Sequence, residues 1–335
     1  MVLTKEDTIL IKGLAIAFML WHHSFLNTME YGQFANGIAV FCKVCVSLFL
    51  FASGYGLTKQ YSKCNKFSVR PTISFMLTRY AKFFLSYWFC MVLVMAVGHL
   101  CGFTIYDAYP VGRNKIKCFL LDVFGMMGYD SYIKTWWFNK LIIQLYLIFP
   151  ILYHLLRNKY VAIVALVAFV AIEQTSCINV FCVIEGGIAA FFIGMLAAKW
   201  NFSISNRWVG FALNLLLLVT LTLIRFKIPI VRFTIVDGFL SVVIVNLMIA
   251  FKRLYSFPVL PLFGQYATII YLTHTLLKHL AGQWFYWSKC AVLVYVVFMT
   301  ASLLVAMSVS SLKKLCKYDK LQNWTIGLIS KIIEK

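Results

Sequence analysis

Two side chains that can do chemistry, Lys12 and His23, stand eleven positions apart in the first apolar segment. At 3.6 residues per turn, this spacing puts them about 20° apart around a helix axis and about 16 Å apart along it. Ionisable groups in apolar segments are costly and are therefore functional candidates. The pattern predicts a cation and an imidazole on one helix face; a topology anchor and a structural histidine are the alternatives. The neighbouring His22 points about 100° away, and we expect it to be the structural histidine.

Other reactive side chains show weaker patterns. Cys42 and Cys45 form a C-x-x-C within an apolar segment. Because the sequence shows no second Cys or His pair close to them, we expect packing residues and no metal site. Glu185 and Asp237 lie within or at the ends of apolar segments. Both are candidates for proton handling or for pairing with Arg232, without support from a motif.

The elements that must position these groups are membrane helices. Hydrophobic residues make up 62% of the 335 residues and charged residues 13%, against about half and a quarter in soluble proteins. The continuous apolar runs favour helices over barrel strands, which alternate. We predict an all-α polytopic membrane protein of about ten transmembrane helices in one bundle, without a sizeable soluble domain. The predicted spans lie at about 8–27, 36–57, 76–102, 136–156, 160–175, 180–198, 208–225, 234–251, 263–281 and 290–312.

The net charge of +20 is distributed over short loops rather than gathered in a nucleic-acid-binding motif, so we expect no nucleic-acid partner. Alternate loops are rich in Lys and Arg, which predicts that these loops and both termini are cytoplasmic. Arg113 and Arg225 are exceptions on the opposite side. We expect the bacterial cytoplasmic membrane as the location, and the first helix to remain in the mature protein.

The chain divides by composition into one membrane domain at 1–312 and a Lys-rich cytoplasmic tail at 313–335. The tail has an amphipathic pattern, and we expect it to be attracted to anionic lipid headgroups. The longest connection, at about 103–135, contains an apolar patch too short to span the bilayer. We expect a re-entrant or interfacial segment on the outer face.

The pair of Lys12 and His23, with ten residues between them, resembles the first-helix motif of the membrane-bound acyltransferase-3 family. Further segments resemble this family's motifs in the same order along nearly the whole chain. They are the aromatic run ending Ser53-Gly54-Tyr55, the pair Arg79 and Lys82, the spacing from Trp137 to Tyr146 and Pro150, the segment Phe191-Phe192-Ile193-Gly194, and Gly264 with Tyr271-Leu272-Thr273-His274. Lys12 and Lys82 stand where the family more often has arginine, and Ile142 where a glutamate is frequent.

The resemblance implies O-acyl transfer, with acetyl as the first choice, from cytoplasmic acyl-CoA to a hydroxyl of a surface polysaccharide or its lipid-linked precursor. Acyl-CoA, in the first instance acetyl-CoA, is then a co-substrate, and no bound cofactor is expected. Lys12, Arg79 and Lys82 are expected at the cytoplasmic edge, where cations suit the donor's phosphates. We expect His23 to act as general base, or alternatively as the carrier of a transient acyl group.

Four residues from the motif matches are candidates for lining a reaction chamber, with hydrogen bonding between helices as the alternative role. They are Ser53, Tyr55, Tyr271 and His274. A transporter or flippase for a glycan or lipid is the alternative function, since a polar chamber between helices serves it equally well. A scaffold protein is a third reading, but it leaves the Lys12 and His23 pair unexplained.

Overall fold

The computed structural model describes residues 2–63, 69–174, 187–200, 207–227, 233–251 and 259–334. Throughout these ranges the regular elements are helices, which confirms the predicted all-α class. The first seven α-helices are α1 (Lys5–Phe25), α2 (Gly32–Cys42), α3 (Cys45–Tyr61), α4 (Val69–Leu100), α5 (Ile105–Ala108), α6 (Lys115–Val123) and α7 (Trp137–Leu155). The next eight are α8 (Lys159–Gln174), α9 (Ile188–Trp200), α10 (Arg207–Lys227), α11 (Phe233–Ala250), α12 (Val259–Gln265), α13 (Ala267–Phe285), α14 (Ala291–Leu315) and α15 (Tyr318–Glu334).

Six helical segments in the described ranges are long and apolar enough to cross a membrane, which confirms a polytopic membrane protein. They are Lys5–Phe25, Met29–Tyr61, Val69–Leu100, Lys134–Leu155, Val209–Lys227 and Ala291–Leu315. Shorter apolar helices lie at Lys159–Ala171, Ile188–Trp200 and Val236–Ala250. Helix also occupies most of the range 263–281, as α13. The count of about ten spans stays a prediction.

The chain divides into two compact units. The first comprises Met1–Lys63 with Ile148–Ala267, and the second Cys64–Leu147 with Thr268–Lys335. In the first unit α3 packs along α9, α1 packs against α12 and α3, and α10 packs against α11. A methyl group on Gly13 would overlap the Leu260 carbonyl, and one on Gly264 would overlap the Ile9 carbonyl. The glycines therefore permit α1 and α12 to cross with their backbones in contact.

The core of the second unit is aromatic. Trp136 is almost fully buried and donates its indole N–H to the Leu272 carbonyl (3.1 Å). Its ring packs edge-on against Tyr87, with centroids 5.3 Å apart. The segment at 103–135 joins this core through α5, α6 and two 3-10 helices, Gly128–Asp130 and Lys134–Trp136. It is therefore a folded part of the unit, and its predicted position at the outer face stays a prediction.

Candidate functional site

The first helix carries Lys12 and His23 on a single continuous element. Its start is fixed by a capping box: the Thr4 hydroxyl accepts from the Asp7 backbone N–H (3.1 Å), and the Thr4 N–H donates to Asp7 Oδ2 (2.8 Å). From this start α1 runs to Phe25, so the predicted shared face exists. Lys12 is exposed and His23 is partly exposed.

His22 has a different environment from its neighbour. It is buried, and its Nδ1 lies 2.7 Å from the Ala39 carbonyl oxygen. A carbonyl only accepts, so Nδ1 carries a proton and donates it. The rings of His22 and His23 meet edge to face, with centroids 5.1 Å apart. His22 thus links α1 to α2 and supports one side of the His23 ring.

The Ala39 carbonyl is available because the helix tightens immediately after α2. At Lys43 and Val44 the hydrogen bonds reach back three residues instead of four: Lys43 N–H bonds the Val40 carbonyl (3.4 Å), and Val44 N–H bonds the Phe41 carbonyl (3.1 Å). A 3-10 turn of this kind inside a long helical segment frequently marks a functional position. The predicted second span therefore contains two helices, α2 and α3, joined by this turn.

A buried ion pair holds the tightened turn from a second direction. Arg225 of α10 donates from Nη1 to the Val40 carbonyl (2.8 Å) and from Nε and Nη2 to the carboxylate of Asp237 in α11, the latter at 3.2 Å. Arg225 is fully buried and Asp237 is 3% exposed. Removing one partner of such a pair leaves an uncompensated charge and costs about 3–5 kcal/mol.

This arrangement bears on two sequence interpretations. Arg225 was expected in an outer loop, but it lies inside α10 and its charge is neutralised by Asp237. It is therefore not evidence against the predicted orientation. Asp237 pairs with Arg225; Arg232 and Glu185 lie outside the described residues. The pairing of Arg225 with Asp237 had a signal in the sequence, because a charged residue within an apolar run requires a buried partner.

The Ser53-Gly54-Tyr55 motif meets the Phe191 to Gly194 motif at the contact of α3 with α9. A methyl group on Gly54 would overlap the Phe191 carbonyl, and one on Gly194 would overlap the Phe51 carbonyl. Ser53 is partly exposed beside this contact. Two motifs that are 140 positions apart in sequence are thus one packing unit.

Tyr55 anchors the start of the chain. Its side chain is 2% exposed, and its hydroxyl accepts a hydrogen bond from the Leu3 backbone N–H (2.7 Å). This bond ties α3 to the residue just before the capping box of α1. The geometry gives Tyr55 a structural contact, and its predicted place in a chamber stays a prediction.

In the second unit, Arg79 and Lys82 lie one turn apart on α4. The Arg79 guanidinium stacks over the Phe75 ring at 5.1 Å, and Lys82 is exposed. The intervening Tyr80 donates its hydroxyl to the Ile143 carbonyl (3.0 Å), which fixes this turn of α4 against α7. Both cations are therefore on a braced helix, in agreement with their predicted spacing.

Tyr271 and His274 belong to α13 and bond within the same unit. The Tyr271 hydroxyl donates to the Thr135 carbonyl (2.8 Å). His274 is fully buried; its Nδ1 lies within 3.0 Å of the Ile270 and Tyr271 carbonyls, and its Nε2 lies 3.1 Å from the Thr275 hydroxyl. The motif from Tyr271 to His274 is thus hydrogen-bonded to the segment just before α7. That a substrate reaches Tyr271 or His274 stays a prediction.

A buried carboxyl group in the second unit was not predicted from the sequence. Asp122 of α6 is fully buried, and its Oδ2 accepts from the Tyr132 backbone N–H (2.6 Å) and the Tyr109 hydroxyl (3.1 Å). The Tyr87 hydroxyl donates to its carbonyl (2.7 Å). Burial raises the pKa of Asp122 above its ordinary value of 3.8, although hydrogen bonds from Tyr132, Ser131 and the tyrosine hydroxyls oppose this shift.

The predicted site residues therefore fall into two sets. Lys12, His23, Ser53 and Tyr55 lie on α1 and α3, which pack together in the first unit. Arg79, Lys82, Tyr271 and His274 lie on α4 and α13 of the second unit. Among the described residues, no group of three or more His, Cys, Asp or Glu side chains is arranged to hold a metal ion.

Comparison with known proteins gave one result. The family model described as an acyltransferase domain matches residues 8–311 of the chain. Neither the curated proteins nor the solved structures gave a significant match. The matched range includes every predicted site residue, from Lys12 to His274.

Proposed function

The chain belongs to the acyltransferase-3 family and is a membrane acyltransferase, and from this premise we propose that it O-acetylates a surface glycan. The donor is acetyl-CoA on the cytoplasmic side, and the acceptor is a hydroxyl of a surface polysaccharide or of its lipid-linked precursor. The observation that carries the proposal is the difference in environment between two adjacent histidines. His22 is engaged with the Ala39 carbonyl, while His23 is partly exposed on the face that it shares with Lys12.

His23 is the general base in the proposed reaction. Its imidazole removes the proton from the acceptor hydroxyl as that oxygen attacks the thioester carbonyl. The C–S bond then breaks, the new ester forms, and the CoA sulfur leaves with the proton that the imidazole held. In the alternative route His23 itself accepts the acetyl group from CoA and passes it to the hydroxyl in a second step. Lys12 supplies a positive charge along the same face.

Arg79 and Lys82 are the proposed ligands of the donor's phosphates. A guanidinium forms paired hydrogen bonds with phosphate oxygens, and an ammonium group adds a point charge. The bond from Tyr80 to Ile143 fixes the backbone of the turn that carries both side chains, so anion binding need not order this backbone.

The experiment measures CoA release in membranes that contain the acceptor. We expect Arg79→Ala to raise the apparent KM for acetyl-CoA by about tenfold or more, because loss of a charge-assisted hydrogen bond costs about 1.5–3 kcal/mol. Arg70→Ala is the matched control, since Arg70 is an exposed cation at the start of the same helix. Equal KM values for acetyl-CoA in both variants would show that Arg79 does not bind the donor and serves only to orient the helix in the membrane.

The tightened turn at Lys43 and Val44 is the observation that favours a transporter, because broken helices with buried charges line many transport paths. The two functions differ in their products. A transferase releases CoA in proportion to the ester that it forms. If the protein is a transferase, mass spectrometry of the surface glycans should show the loss of one acyl mass when its gene is deleted. A transporter leaves acetyl-CoA intact, and its deletion removes the whole glycan from the surface.

A further inference from the structure

The C-terminal helix α15 presents three distinct faces. It packs against α4, and the apolar side chains on the face that includes Tyr318 are partly buried: Tyr318, Ile326, Ile329 and Ile333. A second apolar stripe is exposed, with Leu321 at 46%, Trp324 at 64%, Leu328 at 41% and Ile332 at 64%. At about 100° per residue these four side chains fall within about 80° of arc. The third face is polar and includes Asp319, Asn323 and Ser330.

Contacts with α4 fix the orientation of this helix. The Tyr318 hydroxyl donates to the Leu85 carbonyl (2.9 Å), and its ring lies 4.8 Å from that of Phe89. One turn later, the Gln322 amide donates to the Lys82 carbonyl (3.4 Å). The stripe is therefore held away from α4 rather than being free to rotate into the unit.

The charges beside the stripe indicate what covers it. Lys320 and Lys331 are exposed, and they lie about 80° and 60° from Leu328 around the axis, on the side opposite to α4. Lysines that flank an apolar stripe are typical of helices that bind a membrane surface, since their stems lie along the acyl chains while their ammonium groups reach the headgroups. The helix also follows α14, an apolar segment long enough to span, after the turn at Cys316 and Lys317.

We propose that α15 is a membrane-surface helix that binds an anionic lipid leaflet through the Leu321, Trp324, Leu328 and Ile332 stripe and through Lys320 and Lys331. A hydrophobic stripe of this size needs a cover, and lipid is the partner that matches both its apolarity and its flanking positive charge. The contacts of Tyr318 and Gln322 keep the lipid-bound helix attached to the turn of α4 that carries Lys82.

The test places the full-length protein in nanodiscs with bromine on the lipid acyl chains, which quenches tryptophan on contact. Comparison of the wild type with Trp324→Phe isolates the signal of Trp324 among the nine tryptophans. We expect strong quenching of Trp324. The matched control moves the indole to the polar face by combining Trp324→Phe with Asn323→Trp, and here we expect little quenching. Equal melting temperatures of these variants show that the fold is retained.

The second arm tests the charge. Two nanodisc samples contain the same mixture of neutral and anionic lipid, with bromine on the neutral lipid in one and on the anionic lipid in the other. The ratio of Trp324 quenching in the two samples reports which lipid lies beside Trp324. We expect enrichment of the anionic lipid in the wild type, up to about fivefold per lysine. In Lys320→Gln with Lys331→Gln the ratio should fall to that of the bulk mixture.

Three results overturn the proposal. The first is equal quenching of tryptophan at positions 323 and 324, and the second is a ratio of anionic to neutral lipid quenching that the lysine substitutions leave unchanged. The third is an unquenched Trp324 in a protein dimer that Trp324→Glu converts to a monomer. The last result would assign the stripe to a second copy of the chain. Quenching needs no substrate, so these outcomes are independent of whether acetyl transfer is found.

Discussion

At the scale of single residues, two adjacent histidines differ because a helix turns about 100° between them. His22 is directed at α2, where its Nδ1 bonds the Ala39 carbonyl, and His23 keeps a partly exposed ring. The structure therefore gives one histidine a definite hydrogen-bonding task. The other is partly exposed, and it is the histidine to which we assign the proposed proton transfer.

This difference predicts opposite outcomes for two alanine variants. His23→Ala should lower the rate of transfer per molecule by about 10²–10⁴-fold, the usual contribution of a general base, while the protein level in the membrane stays normal. His22→Ala should lower the protein level instead, since it removes a hydrogen bond from the buried Ala39 carbonyl at a cost of about 1–3 kcal/mol. Activity normalised to membrane protein distinguishes the two effects.

A conservative variant serves as the control for this pair. In His22→Asn the side-chain amide can donate where Nδ1 does, so the protein level should recover. Full normalised activity in His23→Ala would rule out the histidine mechanism. Loss of normalised activity in His22→Ala alone would reverse our assignment of the two faces.

Asp122 predicts a dependence of stability on pH. Its folded pKa lies above the ordinary value of 3.8, because burial disfavours the charged form. The stabilising contribution of this group is therefore complete below pH 3.8 and is lost as the pH rises through the folded pKa. Asparagine does not titrate, so the melting temperature of the wild type relative to Asp122→Asn should fall as the pH increases.

The measurement is thermal unfolding in detergent at a series of pH values. Asp130→Asn is the control for the loss of one acidic group from the same segment, since Asp130 is exposed and pairs with Arg113. A relative melting temperature that increases with pH would show that the hydrogen bonds outweigh burial and lower the pKa of Asp122.

At the scale of helices, the contact of α3 with α9 depends on the absence of a side chain. Gly54→Ala would place a methyl group on the Phe191 carbonyl, a backbone atom that cannot rotate away. We expect a loss of about 1–3 kcal/mol, as for other overpacked sites, and displacement of Ser53 and Tyr55 on either side. Thermal unfolding and activity per molecule are the measurements.

Gly56→Ala is a matched control on the same helix, two positions later. A methyl group there meets nothing within 4 Å. Because alanine is the better helix former by up to about 1 kcal/mol, this variant should be neutral or slightly stabilising. If both variants lost stability equally, the helix itself rather than its crossing with α9 would be responsible.

The sequence was sufficient to predict the helices, but not the turn that separates α2 from α3. Apolar length was sufficient to place a helix in the range 36–57, and helical geometry was sufficient to separate His22 from His23. The turn at Lys43 and Val44 could not be predicted, because neither residue is a helix breaker. It is stabilised by His22 and Arg225, which are distant in sequence, so tertiary contacts rather than local propensity determine it.

In the candidate site, too, the sequence predicts spacings within one helix but not contacts between distant segments. The spacing of Lys12 and His23 and that of Arg79 and Lys82 follow from 3.6 residues per turn and are confirmed by continuous α1 and α4. The partners of Asp122 come from three separate segments, around Tyr87, Tyr109 and Tyr132. Their convergence on one carboxyl group is a property of the folded unit and has no signature in the sequence.

At the scale of the whole molecule, orientation remains the main prediction to be tested. The basic alternate loops predict both termini in the cytoplasm, and burial of Arg225 removes one exception to this pattern. A reporter enzyme that is active only outside the cytoplasm should be silent when fused after Lys335. Strong activity of that fusion would reverse the topology.

Three exposed cysteines among those that the structure describes provide an independent check without fusion. With the predicted orientation, Cys101 and Cys290 lie outside and Cys316 lies inside. A membrane-impermeant maleimide added to intact cells should label the first two, and Cys316 only after the membrane is opened. Labelling of Cys316 alone in intact cells would contradict the predicted orientation.

The bond between Arg225 and the Val40 carbonyl has a consequence for biosynthesis. The two residues are 185 positions apart, and at about 5–20 residues per second a ribosome needs roughly 10–40 s to make that length of chain. During this interval α1 to α3 are already synthesised, His22 can bond the Ala39 carbonyl and the Lys43 N–H can bond the Val40 carbonyl, but Arg225, the second donor to the Val40 carbonyl, does not yet exist. The N-terminal helices therefore complete their hydrogen bonding only after α10 and α11 have been made, and a nascent chain arrested before residue 225 should remain a substrate for membrane quality-control proteases.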